Sequence, residues 1–294
     1  MRPMLPFPIA AVVTALGERP GLIRPFPIGV KRRWLDLASS ALPFPSGTVI
    51  RRVELAGRPG YRVSVGATER PRAIVHLHGG GFVVGSPYAY RSAAAFLAEA
   101  AGAVVYLPDY RLAPEHRYPA ALDDAVAAIQ QVSALHEAVG VSGDSAGGGL
   151  AVSATRRLLD GGRDIVCALA LASPWVDPMA LSEGRKRDLI ISEGFGRWAA
   201  MQYIGSADPA DPGVAPLHGR LGDLPPTLVH VCRTEVLHPQ VVHFVQRLRA
   251  EGVDVALTEQ RLWHAGMAQA GLVAEARDAV TELGEFLRKH AVVR

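Results

Sequence analysis

Gly143-Asp144-Ser145-Ala146-Gly147-Gly148 follows the apolar run Ala138 to Val141 and leads into Gly149-Leu150-Ala151-Val152. A serine framed by glycines at that junction reads as a sharp turn from a strand into a helix. Such a turn strains the serine backbone, and the residues two before and two after it must be nearly without side chain for strand and helix to close together. Gly143 and Gly147 meet that need. In a chain with 30 glycines the pattern also arises by chance, so its meaning depends on what surrounds it.

Outward from this turn, from about residue 70 onward, short β-branched runs alternate with longer helical patterns. Strands are expected at 73–77, 103–107, 138–141, 167–172, 227–231 and 253–258. Helices are expected over 120–133, 146–159, 239–251 and 274–290, where apolar residues recur at three- and four-residue spacing. That alternation predicts an α/β fold, a mostly parallel central sheet with helices on both faces. Residues 1–45 and 178–224 break the rhythm. Both hold aromatics that favour burial (Phe7, Phe26, Trp34 and Phe44; Phe195, Trp198 and Tyr203), and the second holds a helical pattern from Gly196 to Ile204. They are expected to form a helical cap across the C-terminal edge of the sheet: an N-terminal segment, 1–45, and an insertion at about 178–224 within a domain of 46–294.

At 294 residues and 49% apolar content the chain can bury a large core. Its 31 basic and 28 acidic side chains leave a formal charge of +3. The basic clusters Lys31-Arg32-Arg33, Arg51-Arg52 and Arg185-Lys186-Arg187 are scattered, so a nucleic-acid partner is not expected. Two cysteines, Cys167 and Cys232, build no disulfide framework and stand in apolar runs as buried, inert thiols, which permits a reducing, cytoplasmic setting. The apolar stretch 8–16 after Arg2 resembles a secretory signal only superficially. It is short, follows several prolines and lacks a clear cleavage site; no stretch approaches the ~20 apolar residues of a membrane span.

A serine hydroxyl needs a base to take its proton, and the base needs a carboxylate to orient it. Glu235 follows the strand at 227–231, in a loop before the helix near Pro239. His264 is the only histidine between the last strand and the final helix. The third requirement is a set of donors for the charged tetrahedral intermediate. His78-Gly79-Gly80-Gly81-Phe82 follows the strand at 73–77, and the amides of Gly80 and Gly81, with that of Ala146, are the expected oxyanion donors. A phosphate cradle is the competing reading of this loop, but the Lys-Ser/Thr pair it requires is missing. Histidines 76 and 78, and the group 230, 238 and 243, raise a metal site, yet no carboxylate or cysteine completes a shell at familiar spacing.

Three blocks carry a family resemblance: His78-Gly-Gly-Gly-Phe-Val83, Asp109-Tyr-Arg-Leu-Ala-Pro-Glu-His-Arg-Tyr-Pro-Ala-Ala-Leu122 and Gly143-Asp-Ser-Ala-Gly-Gly148. With weaker echoes at Ser173-Pro-Trp-Val-Asp177 and Leu224-Pro-Pro-Thr-Leu228, the chain resembles the hormone-sensitive-lipase-like esterases, a family of α/β-hydrolases, over about 70–290. The resemblance implies hydrolysis of carboxylic esters through an acyl-serine, with no metal or organic cofactor. It also implies that the 109–122 block braces the oxyanion loop. Pro108, Pro114 and Pro119 fix that block as an extended loop in which Asp109, Arg111 and Glu115 can pair internally. These three, with His78, Gly79, Gly143, Asp144 and Gly147, are expected to be structural supports.

The chain departs from the family at Glu235, where aspartate is usual, and after His264, where Ala-Gly-Met replaces the common Gly-Phe. The expectation is a Ser145, His264, Glu235 triad acting on a small-molecule ester of short to medium acyl chain, with no stable membrane insertion and with a homodimer allowed. An amide-directed hydrolase, such as an arylformamide hydrolase or peptidase, would use the same machinery, and nothing in the triad separates the two. A non-catalytic receptor of the same fold is the remote alternative; such receptors typically lose the catalytic histidine, which this chain keeps.

Overall fold

The computed structural model describes residues 4–22, 26–181 and 188–291. Arg2 and the basic cluster at 185–187 lie outside the described residues. An eight-stranded sheet forms the centre, built from β1 (Thr48–Leu55), β2 (Arg58–Val65), β3 (Arg72–Leu77), β4 (Val104–Pro108), β5 (Ala138–Asp144), β6 (Ala168–Ala172), β7 (Thr227–Cys232) and β8 (Val255–Gln260), in the order β1-β2-β4-β3-β5-β6-β7-β8. From β4 to β8 every neighbouring pair is parallel; β2 alone runs the opposite way, pairing antiparallel with both β1 and β4. The inner strands β3 to β7 are buried almost throughout, which is why they read as unbroken apolar runs.

The helices are α1 (Phe7–Leu22), α2 (Ile28–Ser39), α3 (Arg91–Ala101), α4 (Ala120–Ser133), α5 (Ala146–Asp160), α6 (Glu193–Ile204), α7 (His238–Ala250) and α8 (Ala274–His290). One face of the sheet is closed by α3 and α8, whose Phe96, Leu97, Leu283 and Leu287 share an apolar cluster with Ile74 and Val105. The other is closed by α4, α5 and α7, through Leu122, Ile129, Val152 and Phe244 packed with Val75, Val141 and Val229. Each such fully buried side chain contributes about 1.5–3 kcal/mol relative to exposure.

The strands and helices expected from about residue 70 are present, with ends shifted by a few residues. Three elements lack a counterpart in the sequence reading. β1 and β2 form a hairpin whose turn residues Ala56 and Gly57 have φ of 51° and 78°. The burial of β1 does not alternate, and its Arg51 and Arg52 face solvent, so no period-two signal marks it. α3 is rich in alanine, and eight of its eleven residues are buried.

The stretch 8–16 lies within α1, with Ala10 and Thr14 turned inward. Among the cap aromatics Phe195 and Tyr203 are buried, but Phe26, Trp34 and Phe44 remain exposed. Two-helix coverage leaves the outer faces of α1 and α2 in solvent, and Trp34 is held there by its Nε1 donating to Gly17 O at 2.7 Å. Cys167, just ahead of β6, is half-buried rather than fully buried, while Cys232 is enclosed; both thiols are free. Burial pushes the Cys167 thiol up to about 11. Among the described residues no helix is long and apolar enough to cross a membrane.

Candidate active site

Ser145 stands between β5 and α5 with φ 50° and ψ −122°. Its amide donates to Ala172 O at 2.9 Å and its carbonyl accepts from Trp175 N at 2.8 Å, so the end of β6 fixes the strained turn from both sides. A Cβ on Gly143 would run into the Gly147 backbone, and one on Gly147 into the carbonyls of Leu77 and His78. The two glycines are therefore required by contact, as their spacing around Ser145 implies.

His264 follows β8 and is 1% exposed. Its Nε2 lies 2.8 Å from Ser145 Oγ, and its Nδ1 lies 3.3 Å from Glu235 Oε2. Because a carboxylate only accepts, Nδ1 carries the proton and Nε2 is left to receive one from Ser145. Burial alone would lower the imidazole pKa, but the hydrogen bond and charge of Glu235, with the charges of Asp188 and Asp144, outweigh it and hold His264 above its ordinary value. Glu235 is itself buried, and Ser173 Oγ donates to its Oε2 at 2.7 Å. Ser173 opens the Ser173-to-Asp177 echo in the sequence, but nothing there points to Glu235 as its partner. The Ser173 φ of 48°, unusual for a residue with a side chain, has no signature in sequence.

The glycine loop leaves β3 beside this pair. Gly80 and Gly81 have φ of 118° and 62°, and a Cβ on Gly80 would collide with Val84 O. No protein acceptor among the described residues meets the N–H of Gly80, Gly81 or Ala146. The loop is anchored underneath by Asp144, whose Oδ1 accepts from Gly79 N at 2.9 Å and whose Oδ2 accepts from Tyr90 Oη at 2.7 Å. Gly79 has no room for a Cβ because the Asp144 carboxylate lies against it. Burial pushes the Asp144 carboxyl up to about 6, against the Tyr90 hydrogen bond, the His264 charge and the Gly79 amide. His78 donates from Nδ1 to Gly79 O at 2.8 Å and stacks on Tyr110 at 4.3 Å between centroids. Burial draws His78 down to about 4 and His76 to about 3, so both are neutral at physiological pH.

The expected pairing within 109–122 is not present. Arg111 instead reaches α4, donating from Nη2 to Asp124 Oδ1 at 2.7 Å and from its backbone N to Oδ2 at 2.8 Å. Glu115 points outward and takes a two-pronged contact from Arg32 of α2, at 2.8 Å on each oxygen. Asp109 makes neither contact, and burial raises its carboxyl. Nor is the segment extended: it turns at 113–116, where His116 N donates to Leu112 O at 2.9 Å, and again at 118–119, and these turns send its side chains to partners outside the segment. Arg32 also donates to Val83 O and Ala113 O, both at 2.9 Å, so α2 holds the end of the glycine loop and the 109–122 segment together. Four of the five histidines weighed as metal ligands have other partners: His78 meets Gly79 O, His76 sits 3.2 Å from Ser142 Oγ, His230 lies 3.1 Å from Glu282 and His238 lies 2.8 Å from Glu259.

A pocket opens over Ser145 and His264, lined by Gly79 to Gly81 below and by α1, α2 and Phe195 of α6 above. Its walls are mostly apolar, from Val13, Leu22, Leu35, Leu42, Ile191 and Leu272. Such a site can place an ester carbonyl between a base-activated hydroxyl and unpaired amides while excluding water.

A family model described as an alpha/beta hydrolase fold matches residues 74–267. The chain is 35% identical to an acetyl-hydrolase of Streptomyces hygroscopicus, over 78% of this chain and 83% of that protein. It is 32% identical to an esterase of Acinetobacter venetianus, over 86% of each. Among solved structures, an esterase of the bacterial hormone-sensitive lipase family superimposes with TM-score 0.91 at 30% identity, covering 98% of this chain and all of that one. A hormone-sensitive lipase from a metagenome library gives TM-score 0.88 at 26% identity, covering 96% and 98%.

Proposed function

The chain belongs to the α/β-hydrolase family, to its hormone-sensitive-lipase-like branch of serine ester hydrolases, and from that premise we propose that it cleaves carboxylic esters of short to medium acyl chain through a Ser145, His264, Glu235 triad. Ser145 Oγ attacks the ester carbonyl as its proton passes to His264 Nε2, and the oxyanion is met by the amides of Gly80, Gly81 and Ala146. Collapse of the tetrahedral intermediate breaks the bond to the alcohol oxygen, which takes the proton from His264 and leaves. Water then gives a proton to His264, attacks the acyl-serine, and releases the acid while Ser145 regains its hydrogen.

The observation that carries this reading is the position of His264, 2.8 Å from Ser145 Oγ and 3.3 Å from Glu235 Oε2. The apolar pocket walls favour a hydrocarbon acyl chain over a charged one. Two free thiols, at Cys167 and Cys232, suit a reducing, cytoplasmic setting. Aryl ester hydrolysis and fluorophosphonate labelling, each measured for the native chain and for Ser145→Ala, test the assignment. Both are expected to vanish in the variant; full activity in Ser145→Ala refutes it, and a strong preference for a matched amide over the ester overturns the substrate class.

A further inference from the structure

One wall of the pocket contradicts its apolar character. Thr14 and Glu18, one helical turn apart on α1, both line it, and Gln269, from the 3-10 turn Gly266–Gln269 after His264, faces them. Gln269 Oε1 accepts from Trp263 Nε1 at 3.2 Å, which orients the amide so that Nε2 donates to Glu18 Oε1. That leaves two groups without partners. Thr14 is only 5% exposed, and its Oγ1 has no hydrogen-bond partner. Among the described residues Glu18 Oε2 has none either. A helix that only covered the sheet would place apolar side chains at these positions, because an unmet buried hydroxyl costs about 1–3 kcal/mol.

Building on the ester-hydrolase reading, we propose that Thr14, Glu18 and Gln269 form a polar subsite that binds a hydroxyl group carried by the substrate at a distance from its reacting carbonyl. The threonine hydroxyl can donate to and accept from such a group, and the free carboxyl oxygen of Glu18 accepts its proton. Burial, with the charge of Asp144, pushes the Glu18 carboxyl up to about 7, so near neutrality it exchanges between a pure acceptor and a group that also donates. A hydroxyl satisfies either form. A cationic substituent fits less well, since His264 becomes positively charged during attack and lies near enough to interact with Glu18 electrostatically.

The test uses two series of aryl and alkyl esters, one with a terminal hydroxyl or methyl on an acyl chain of fixed length, the other with the same pair on the alcohol. The native enzyme is expected to favour the hydroxyl member of at least one series, read as a ratio of kcat/KM. Glu18→Leu should lower that ratio about ten- to a hundredfold, and the isosteric Thr14→Val about three- to tenfold. Glu18→Gln keeps the side-chain shape and still offers a donor to the hydroxyl, so it should retain most of the preference that Glu18→Leu loses; should Glu18→Leu not fold, Thr14→Val carries the test. A native ratio of one or less in both series, a ratio unchanged by every variant, or a greater preference for an amino substituent overturns the subsite while leaving ester hydrolysis standing. Absence of any ester hydrolysis together with failure of fluorophosphonate to label Ser145 overturns the parent reading, and the subsite with it.

Discussion

Ser173 Oγ donates at 2.7 Å to the same Glu235 oxygen, Oε2, that faces His264 Nδ1 at 3.3 Å. Glutamate is longer and freer than the usual aspartate, and this bond removes one of its rotational freedoms. Ser173→Ala should leave Glu235 in place but less well aimed. Steady-state kinetics are expected to show kcat lowered about tenfold with KM little changed, as for the loss of an orienting hydrogen bond behind a functional group. An unaltered kcat removes Ser173 from the positioning of Glu235.

The pH profile should report His264. Free enzyme needs its imidazole neutral, so kcat/KM falls as pH drops through the His264 pKa, and that midpoint should lie above the ordinary 6.5 because Glu235 raises it. Glu235→Gln removes the charge: the midpoint should move down and the rate fall about 10²- to 10⁴-fold. A midpoint that stays in place would falsify the pairing of Glu235 with His264.

Arg32 and Glu115 separate charge from hydrogen bonding. Their ion pair is 26% and 48% exposed, so solvent screens it, and Glu115→Gln should cost about 0.5 kcal/mol or less. Arg32→Ala also strips the donor from Val83 O and Ala113 O, and should cost about 1–3 kcal/mol. Urea unfolding of the two variants is the check, with equal effects arguing that the cap is held elsewhere.

Gly147→Ala should be far worse than its size suggests. The added Cβ meets two backbone carbonyls of β3 and the glycine loop, neither the end of a flexible side chain. A loss on the order of 3 kcal/mol or more is expected, with activity falling further as the Ser145 turn is displaced. Thermal unfolding near the native temperature would show that the turn can yield.

Asp144 sets a pH dependence of stability. Its folded pKa of about 6 stands above the ordinary 3.8, so the folded state holds the proton more tightly. The stabilisation this gives is fully present below about pH 4 and is lost as pH rises through about 6. Asp144→Asn cannot titrate, and its stability should decline less than that of the native chain between those limits, measured by urea unfolding at each pH. Glu18, raised in the same sense, keeps its share of the decline in the variant.

The parallel sheet and its helices were legible because buried strands leave continuous apolar runs and half-buried helices leave a 3.6-residue rhythm. The glycines around Ser145 and in the 79–81 loop were legible for a related reason: backbone passes too close there for any side chain, and that demand is local to a few residues. Ser145, His264 and Glu235 could be placed in order along the chain because each sits at the end of a strand the sequence already marks.

Partnership across the fold was not legible. Arg111 finds Asp124, Glu115 finds Arg32, and Ser173 finds Glu235 only once the strands are side by side and the helices have packed over them. The same holds for Thr14 and Glu18, which in sequence are ordinary positions on an apolar helix and in space line the pocket that holds Ser145. Local chemistry is written in spacing because it depends on a few adjacent residues. Orientation and selectivity depend on groups tens to hundreds of residues apart, so packing of the tertiary structure alone decides them.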